Sequence, residues 1–546
     1  MEPFDRIDIQ ELPLSVLTYR CKVMNFLGRN GLRLEDVDLY LAILDQKGDI
    51  LAGGGLYRDI IKCIAVSPEA RSMGLAAPLV SRLISLSAER GFTNLKVFTK
   101  PENQAIFESL GFHTLASAPK AILMENGRGL ETYCSYLRSL RRPGRSGVVV
   151  MNANPFTLGH QYLLEQSAAQ VDNLFVIPVR EDYSLFSYQE RTAMIRSGSC
   201  ATVLEGSDYQ ISAATFPTYF LKDLSKASEM QMQLDIDLFG RHIAPALGIT
   251  RRFVGSEPLD DLTKRYNERM AQLLPSYGVE VSILPRLRQG DEPVSASLVR
   301  GALDAGSFPR AKALTPATTH PYLLAALAER ALRLELQTPY KPGLVEPCNP
   351  GAHTDMDSAL MQKGIAAIRP FFPQMALADT TDRLRQLGID AEKAMLAATG
   401  GVNTHRGAIF AIGLALNAFW HKQDIGEIAG KLLGNTREKG AREMALSGYR
   451  ELFSDWLPYY RSLKAHPYGA QKTLLRIMST LDDTCILHRV GAERAQAVKK
   501  EAKALCENFS PEALEALCRQ YEKEHISPGG AADMLALTIF ADSIIV

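Results

Sequence analysis

The chain has 546 residues, a formal net charge of +0, and 46% hydrophobic against 22% charged residues. That length predicts three or four domains. The ordinary composition excludes a sizeable disordered tail, and the neutral balance gives no overall pull toward nucleic acid or an anionic membrane. Glu2, Asp5 and Asp8 argue against a signal peptide, and no stretch nears the ~18 apolar residues of a membrane span. The eight cysteines include no CxxC pair. A cytoplasmic protein with reduced thiols and no nucleic-acid or membrane partner is therefore expected.

Residues 39–44 and 50–56 are apolar runs around the turn residues 45–49, which predicts a β-hairpin, with a third strand over 60–66. Arg71-Ser72-Met73-Gly74-Leu75-Ala76 then opens an amphipathic helix. Glycine at position 74 lets backbone amides approach a pyrophosphate, and the helix start adds positive potential. Downstream stands Asn103-Gln104-Ala105-Ile106-Phe107-Glu108-Ser109-Leu110-Gly111-Phe112. Together these segments resemble the GCN5-related N-acetyltransferase (GNAT) fold. The resemblance implies a pocket for a CoA-like group, held by Arg71 and Gly74, without implying acetyl transfer.

Arg138, Arg141, Arg142 and Arg145 surround Pro143-Gly144 and read as a solvated linker. From about Gly147 the rhythm becomes strand–helix–strand, which argues for a parallel sheet covered by helices. Strands are predicted at 147–151, 174–179, 252–254 and 279–284, and Ser187-Tyr188-Gln189-Glu190 is a capping box that opens a helix. Met151-Asn152-Ala153-Asn154-Pro155-Phe156-Thr157-Leu158-Gly159-His160 leaves the first strand and turns into a helix. Thr157 and His160, three residues apart, are expected on its first turn, where amides favour phosphate and an imidazole N–H can meet growing charge. Ser295, Ser297 and Arg300 begin a later helix and can grip a triphosphate. Gly255 and Ser256, within Phe253–Pro258, suit close approach by ribose or adenine.

These motifs resemble the nucleotidyltransferase superfamily that includes pantetheine-phosphate adenylyltransferase. With Asp208–Lys222 and the preceding GNAT-like segment, the first 315 residues look like citrate lyase ligase. That family joins acetate to the prosthetic-group thiol on citrate lyase's acyl carrier subunit, splitting ATP. The resemblance implies an acetyl adenylate intermediate. It places His160, Thr157 and Arg300 on transition-state charge, Ser295 and Ser297 on phosphate, Asn154 and Gly159 in the nucleotide loop, and Mg²⁺ between phosphates.

Beyond about residue 315 strand signals fade, and alanine- and leucine-rich helices predict an all-α domain. Polar runs interrupt it: Lys341–Val345, Asn349–Asp357, Gly388–Glu392 and Ala398–Gly407, with further candidates at Asp482–Thr484 and Ser527–Asp533. Asp355 and Asp357 could offer oxygen ligands to Mg²⁺. Gly400, Gly401, Asn403, His405 and Arg406 can lay amides and a cation against phosphates. KPGLV, GAHTDMD, TGGVNTHRG and SPGGAADML resemble triphosphoribosyl-dephospho-CoA synthase, which transfers the triphosphoribosyl part of ATP to 3′-dephospho-CoA and releases adenine. The resemblance implies metal or base roles for Asp355, Asp357 and Glu392 and phosphate contacts for Lys341 and Arg406. Arg406 replaces the usual lysine and Cys485 the usual asparagine.

The sequence thus predicts a multi-domain fusion: an α/β GNAT-like domain over 1–130, an α/β nucleotidyltransferase domain with a Rossmann-like parallel sheet over 131–315, and an all-α synthase domain over 316–546. Two consecutive steps of one prosthetic-group maturation would share one chain. A phosphopantetheine-type adenylyltransferase fused to the synthase, or a carrier-binding scaffold, are the alternatives.

Overall fold

The structure is a computed structural model that describes residues 7–180, 184–210, 227–257, 260–434 and 440–545. The chain packs as two compact units. Met1–Asn154 joins Gly159–Pro293 in the first, while Pro155–Leu158 joins Val294–Val546 in the second.

Two sheets build the first unit. The N-terminal sheet contains β1 (Ile9–Glu11), β2 (Leu39–Leu44), β3 (Ile50–Tyr57), β4 (Ile60–Val66), β5 (Leu95–Thr99), β6 (His113–Ala118) and β7 (Ala121–Asn126), in the order β1-β2-β3-β4-β5-β7-β6. The predicted hairpin is β2–β3, and every neighbouring pair is antiparallel except β4 with β5. That pair is in register only at Ile60↔Lys96 and Ile61↔Val97. The Arg-x-x-Gly-x-Ala loop follows β4: Gly74 has φ +70, a Cβ on it would meet nothing within 4 Å, and the helix Ala76–Glu89 begins just beyond it. Asn103 donates to Thr99 Oγ1 at 2.9 Å, and Phe107 meets Phe112 edge-on at 5.5 Å.

The second sheet is wholly parallel: β8 (Ser146–Met151), β9 (Asn173–Pro178), β10 (Thr202–Val203), β11 (Ile249–Gly255) and β12 (Glu280–Leu284), in the order β10-β9-β8-β11-β12. β8 comes first in sequence yet lies centrally, so the chain leaves it in opposite directions toward β9 and β11. Such a reversal opens a crevice at the carboxyl ends of the strands, where ligands of doubly wound folds bind. Tyr40, Phe98 and Leu123 of the first sheet share one buried cluster with Val148 and Phe175 of the second.

The second unit is helical, as expected. Its last helix, Gly529–Ile544, is buried on nearly all sides and packs against His320–Gln337, Arg406–His421 and Gly469–Thr480. Gly388–Glu392 departs from expectation. Rather than interrupting the helices, it lies inside the helix Thr381–Ala398, because Leu384, Leu387, Ala391 and Met395 keep the helical period across Gly388 and are buried. All eight cysteines are free. Among the described residues, no helix is long and apolar enough to cross a membrane.

The predicted capping box is formed: Ser187 accepts from the Glu190 amide at 3.3 Å, and the Glu190 side chain accepts from the Ser187 amide at 2.9 Å. Ser187→Ala is expected to cost about 1 kcal/mol of local stability. Hydrogen exchange should quicken in the amides of Tyr188–Gly198 and not in those of Gly529–Ile544.

Candidate active sites

In the first unit, the carboxyl ends of β8 and β11 carry Asn154, Gly159 and His160 on one side of the crevice and Gly255 and Ser256 on the other. A Cβ on Gly255 would meet nothing within 4 Å, so the strand end is open to close approach. Asn267 donates to the Gly255 carbonyl at 2.9 Å. The Ser256 hydroxyl accepts from the Arg286 amide at 3.2 Å, and the Arg286 guanidinium pairs with Glu257 at 2.8 Å. Burial, helped by the Arg286 charge, pushes the His160 imidazole down to about 4. The ring is therefore neutral at ordinary pH and keeps one N–H to donate.

A residue that the motifs did not flag organises this edge. Arg191 is fully buried, and its guanidinium meets four oxygens: Asn152 O and Oδ1, each at 2.7 Å, Val179 O at 2.9 Å and Phe186 O at 3.1 Å. Asn154 Oδ1 accepts from the Phe186 amide at 3.2 Å. Arg191 thus ties the turns after β8 and β9 to the start of the helix Tyr188–Gly198. In sequence it follows the capping box on a polar helix, where an arginine reads as solvated. Beyond β9 and β10 the same unit encloses a cavity of about 560 Å³, lined in part by Asp59, Lys96, Tyr133, Arg180 and Tyr209. Lys96 pairs there with Asp59 at 2.6 Å. Of the quoted segments around this edge, residues 211–222 and Pro258 lie outside the described residues.

The second unit holds Thr157, Ser295, Ser297 and Arg300. Thr157 is buried immediately before the helix Leu158–Ala168 rather than within its first turn. The Thr319 hydroxyl donates to Phe156 O at 3.0 Å and the Leu158 amide to Leu314 O at 3.0 Å, so residues 314–319 anchor this segment. Ser295 caps the helix Ala296–Asp304, its hydroxyl accepting from the Leu298 amide at 3.2 Å. Arg300 donates to Ser297 Oγ at 3.1 Å on the exposed face.

Farther along this unit the polar runs converge. Lys341 is buried and paired with buried Glu335, and its charge, after burial itself, holds the His405 imidazole down to about 4. A Cβ on Gly343 would fall 1.9 Å from Ile526 O, so the KPGLV loop needs glycine to lie against the segment that leads into SPGGAADML. His353 bridges Ser527 Oγ at 2.8 Å and Arg489 at 3.3 Å. Asp483 accepts from the Cys485 amide at 2.8 Å and the Ala531 amide at 2.9 Å, tying two helix starts together. A Cβ on Gly407 would lie 1.9 Å from Asp533 Oδ2. Burial, with Asp483 and Asp533 nearby, pushes the Cys485 thiol up to about 12, so it stays protonated.

The remaining expected residues lie at the rim. Asp355 is exposed, 3.6 Å from His353; Asp357 is exposed and caps the helix Ser358–Ile368 through the Leu360 amide at 2.8 Å. Glu392 pairs with Arg406, whose amide donates to Asn403 Oδ1 at 3.1 Å. Gly400 (φ +65) and Gly401 (φ +91) face open space. Among the described residues no cluster of three or more His, Cys, Asp or Glu could hold a metal by itself. Asp355 and Asp357 therefore suit only an ion that takes most of its ligands from phosphates and water, as Mg²⁺ does. Glu335 was missed because a lone acid in a Leu-Glu-Leu run reads as the polar stripe of an amphipathic helix.

The depressed imidazoles of His160 and His405 give a pH signature. Each titrates at about 4 when folded and at about 6.5 when unfolded. Between those values the unfolded chain binds more protons, so their contribution to stability is intact above about pH 6.5 and fades as the pH falls through 4. Denaturation at stepped pH should show this loss, and His405→Gln should flatten the slope.

Comparison with known proteins finds relatives for both halves of the chain. Residues 146–323 match the family model "Citrate lyase ligase C-terminal domain", and residues 321–445 and 429–546 match "ATP:dephospho-CoA triphosphoribosyl transferase". The citrate (pro-3S)-lyase ligase of Klebsiella pneumoniae is 43% identical over 311 residues, covering 55% of this chain and 91% of that protein. A "Probable 2-(5''-triphosphoribosyl)-3'-dephosphocoenzyme-A synthase" of Pseudomonas syringae pv. tomato is 35% identical over 264 residues, covering 40% of this chain and 91% of that protein. A crystallised acyl-CoA N-acyltransferase from Pseudomonas aeruginosa aligns at 18% identity and a TM-score of 0.20, over 22% of this chain and 99% of its own; a likeness so slight carries no argument. The chain therefore belongs to two enzyme families at once, the citrate lyase ligases through its N-terminal half and the triphosphoribosyl-dephospho-CoA synthases through its C-terminal region.

Proposed function

We propose that the N-terminal half acetylates the prosthetic-group thiol of a citrate lyase acyl carrier subunit, while the C-terminal half makes that group's precursor from ATP and 3′-dephospho-CoA. The observation that carries the first reading is the crevice at the reversal of strand order, with a neutral His160 on one lip and an open Gly255 on the other. An acetate oxygen attacks the α-phosphorus of ATP and pyrophosphate leaves; the carrier thiol then attacks the acyl carbon and AMP leaves. His160 donates its N–H to the charge that grows on the α-phosphate, and Arg300 adds a cation. Thr157, Ser295 and Ser297 would grip phosphate oxygens, with Asn154 and Gly159 shaping the loop and Ser256 beside the nucleoside.

In the helical region we likewise propose a triphosphate recess beside the open glycine backbone of Gly400 and Gly401, near Lys341, His405 and Arg406. Asp355 and Asp357 would hold Mg²⁺ at its rim, where the ion would offset phosphate charge. Glu392 orients Arg406 through their ion pair. The same reading divides the chain into domains over 1–130, 131–315 and 316–546, and leaves Arg71 and Gly74 as a site for a CoA-like pyrophosphate on the first.

His160→Ala is expected to slow acetate-dependent pyrophosphate release at least about 100-fold and to leave adenine release from ATP plus 3′-dephospho-CoA unchanged. Equal loss of both activities in folded protein would sink the assignment of separate sites. Lys341→Met would strand the Glu335 carboxylate, and should destabilise the helical region by about 3–5 kcal/mol. Urea unfolding followed through the fluorescence of Trp456 measures it.

A further inference from the structure

Four acidic or phenolic side chains meet where the last helix begins, two of them well answered and two not. Glu335 is answered by Lys341. Asp483 is answered by backbone amides at the starts of two helices, those of Cys485 and Ala531 among them. The Tyr449 phenol is fully buried with no hydrogen-bond partner for its oxygen among the described residues, on a backbone held at φ 54, a left-handed conformation that costs a non-glycine residue energy. Asp533, one turn into the helix Gly529–Ile544, accepts from the Ala408 amide and keeps accessible surface, while Glu335, Asp483, Lys341 and His405 around it are buried.

This placement is costly. The Asp533 carboxylate fits only because residue 407 is glycine, and it faces Glu335 and Asp483, two further acids. Lys341, the cation of this neighbourhood, is committed to Glu335, and the His405 imidazole beside it is neutral. Burial first, and the two acids second, raise the Asp533 carboxyl well above the usual carboxylate range. A structural cap would collect several amides, as Asp483 does. A half-buried, poorly compensated carboxylate beside an unsatisfied phenol instead fits a site whose missing partner is a substrate hydroxyl.

We propose that Asp533 is the general base of the transferase half and accepts the proton of the attacking hydroxyl. This rests on the reading of that half as a triphosphoribosyl transferase. The ribose hydroxyl oxygen of the acceptor bonds to C1 of the ATP ribose as the C–N bond to adenine breaks. The bonding pair leaves with adenine. The hydroxyl proton passes to Asp533, and a proton returns through solvent to the departing adenine, so the reaction is proton-neutral. Asp355, Asp357 and Glu392 then remain at the rim with phosphates and cation, away from proton transfer.

The test uses the full chain with ATP and 3′-dephospho-CoA, following free adenine. Asp533→Asn keeps an oxygen for the Ala408 amide and should lower kcat at least about 100-fold, with the KM for ATP little changed and acetate-dependent pyrophosphate release intact. It should also remove the rising limb of the pH–rate profile. Asp533→Glu, should the amide variant misfold, should keep that limb and move its midpoint. An Asn variant within threefold of wild type, or a limb unmoved in the Glu variant, overturns the inference. Absence of adenine release from the wild-type chain would instead overturn the transferase reading itself.

Discussion

A charge taken out of water must be met by polar groups already pointing at it, and both candidate sites are organised around that constraint. In the parallel-sheet region the charge is Arg191, surrounded by oxygens from the turns after β8 and β9 and from Phe186. In the helical region it is Asp483, surrounded by amides from two helix starts. Each side chain joins segments distant in sequence.

The two regions reach phosphate chemistry by different routes. The α/β core uses topology: strand order reverses at β8, and the crevice follows from that reversal whatever residues line it. Helices packed side by side leave no such crevice. The synthase region interrupts its helices with glycine-bearing loops, and Gly343 and Gly407 mark where a single extra carbon would collide with Ile526 O or Asp533. Sequence departures are tolerated unevenly there. Arg406 preserves a cation and finds Glu392, whereas Cys485 contributes its amide to Asp483 and little polarity of its own.

Much of this was legible in the residues. Alternating runs marked the β2–β3 hairpin, the capping box at Ser187 marked a helix start, and Asn-Pro after an apolar strand marked the turn that leads into the helix Leu158–Ala168. The interior acids and bases were not legible. Arg191, Glu335 and Asp533 sit in helices whose residue pattern predicts only which stripe is apolar, and a charge on the wrong stripe looks like a solvated one until its partners are seen. Gly388 read as a break for the opposite reason: glycine is costly in a helix by about 1 kcal/mol, yet four buried apolar neighbours on one stripe outweigh it. The four residues Pro155–Leu158 show a third limit. Their membership of the second unit depends on Leu314 and Thr319, more than 150 residues downstream by number, and no local pattern announces it.

The helix His320–Gln337 has a consequence for how strain travels within the second unit. The two family matches overlap at residues 321–323, at its very start. Thr319, just ahead of it, steadies the loop segment at Phe156, and Glu335, near its far end, holds Lys341. Eighteen helical residues make a strut about 27 Å long. One stiff rod therefore anchors both the Phe156 loop and the Glu335–Lys341 pair, and all of them lie in the same compact unit. Within that unit, a mutation that bends the strut would be felt both at the loop around Phe156 and at the Glu335–Lys341 pair.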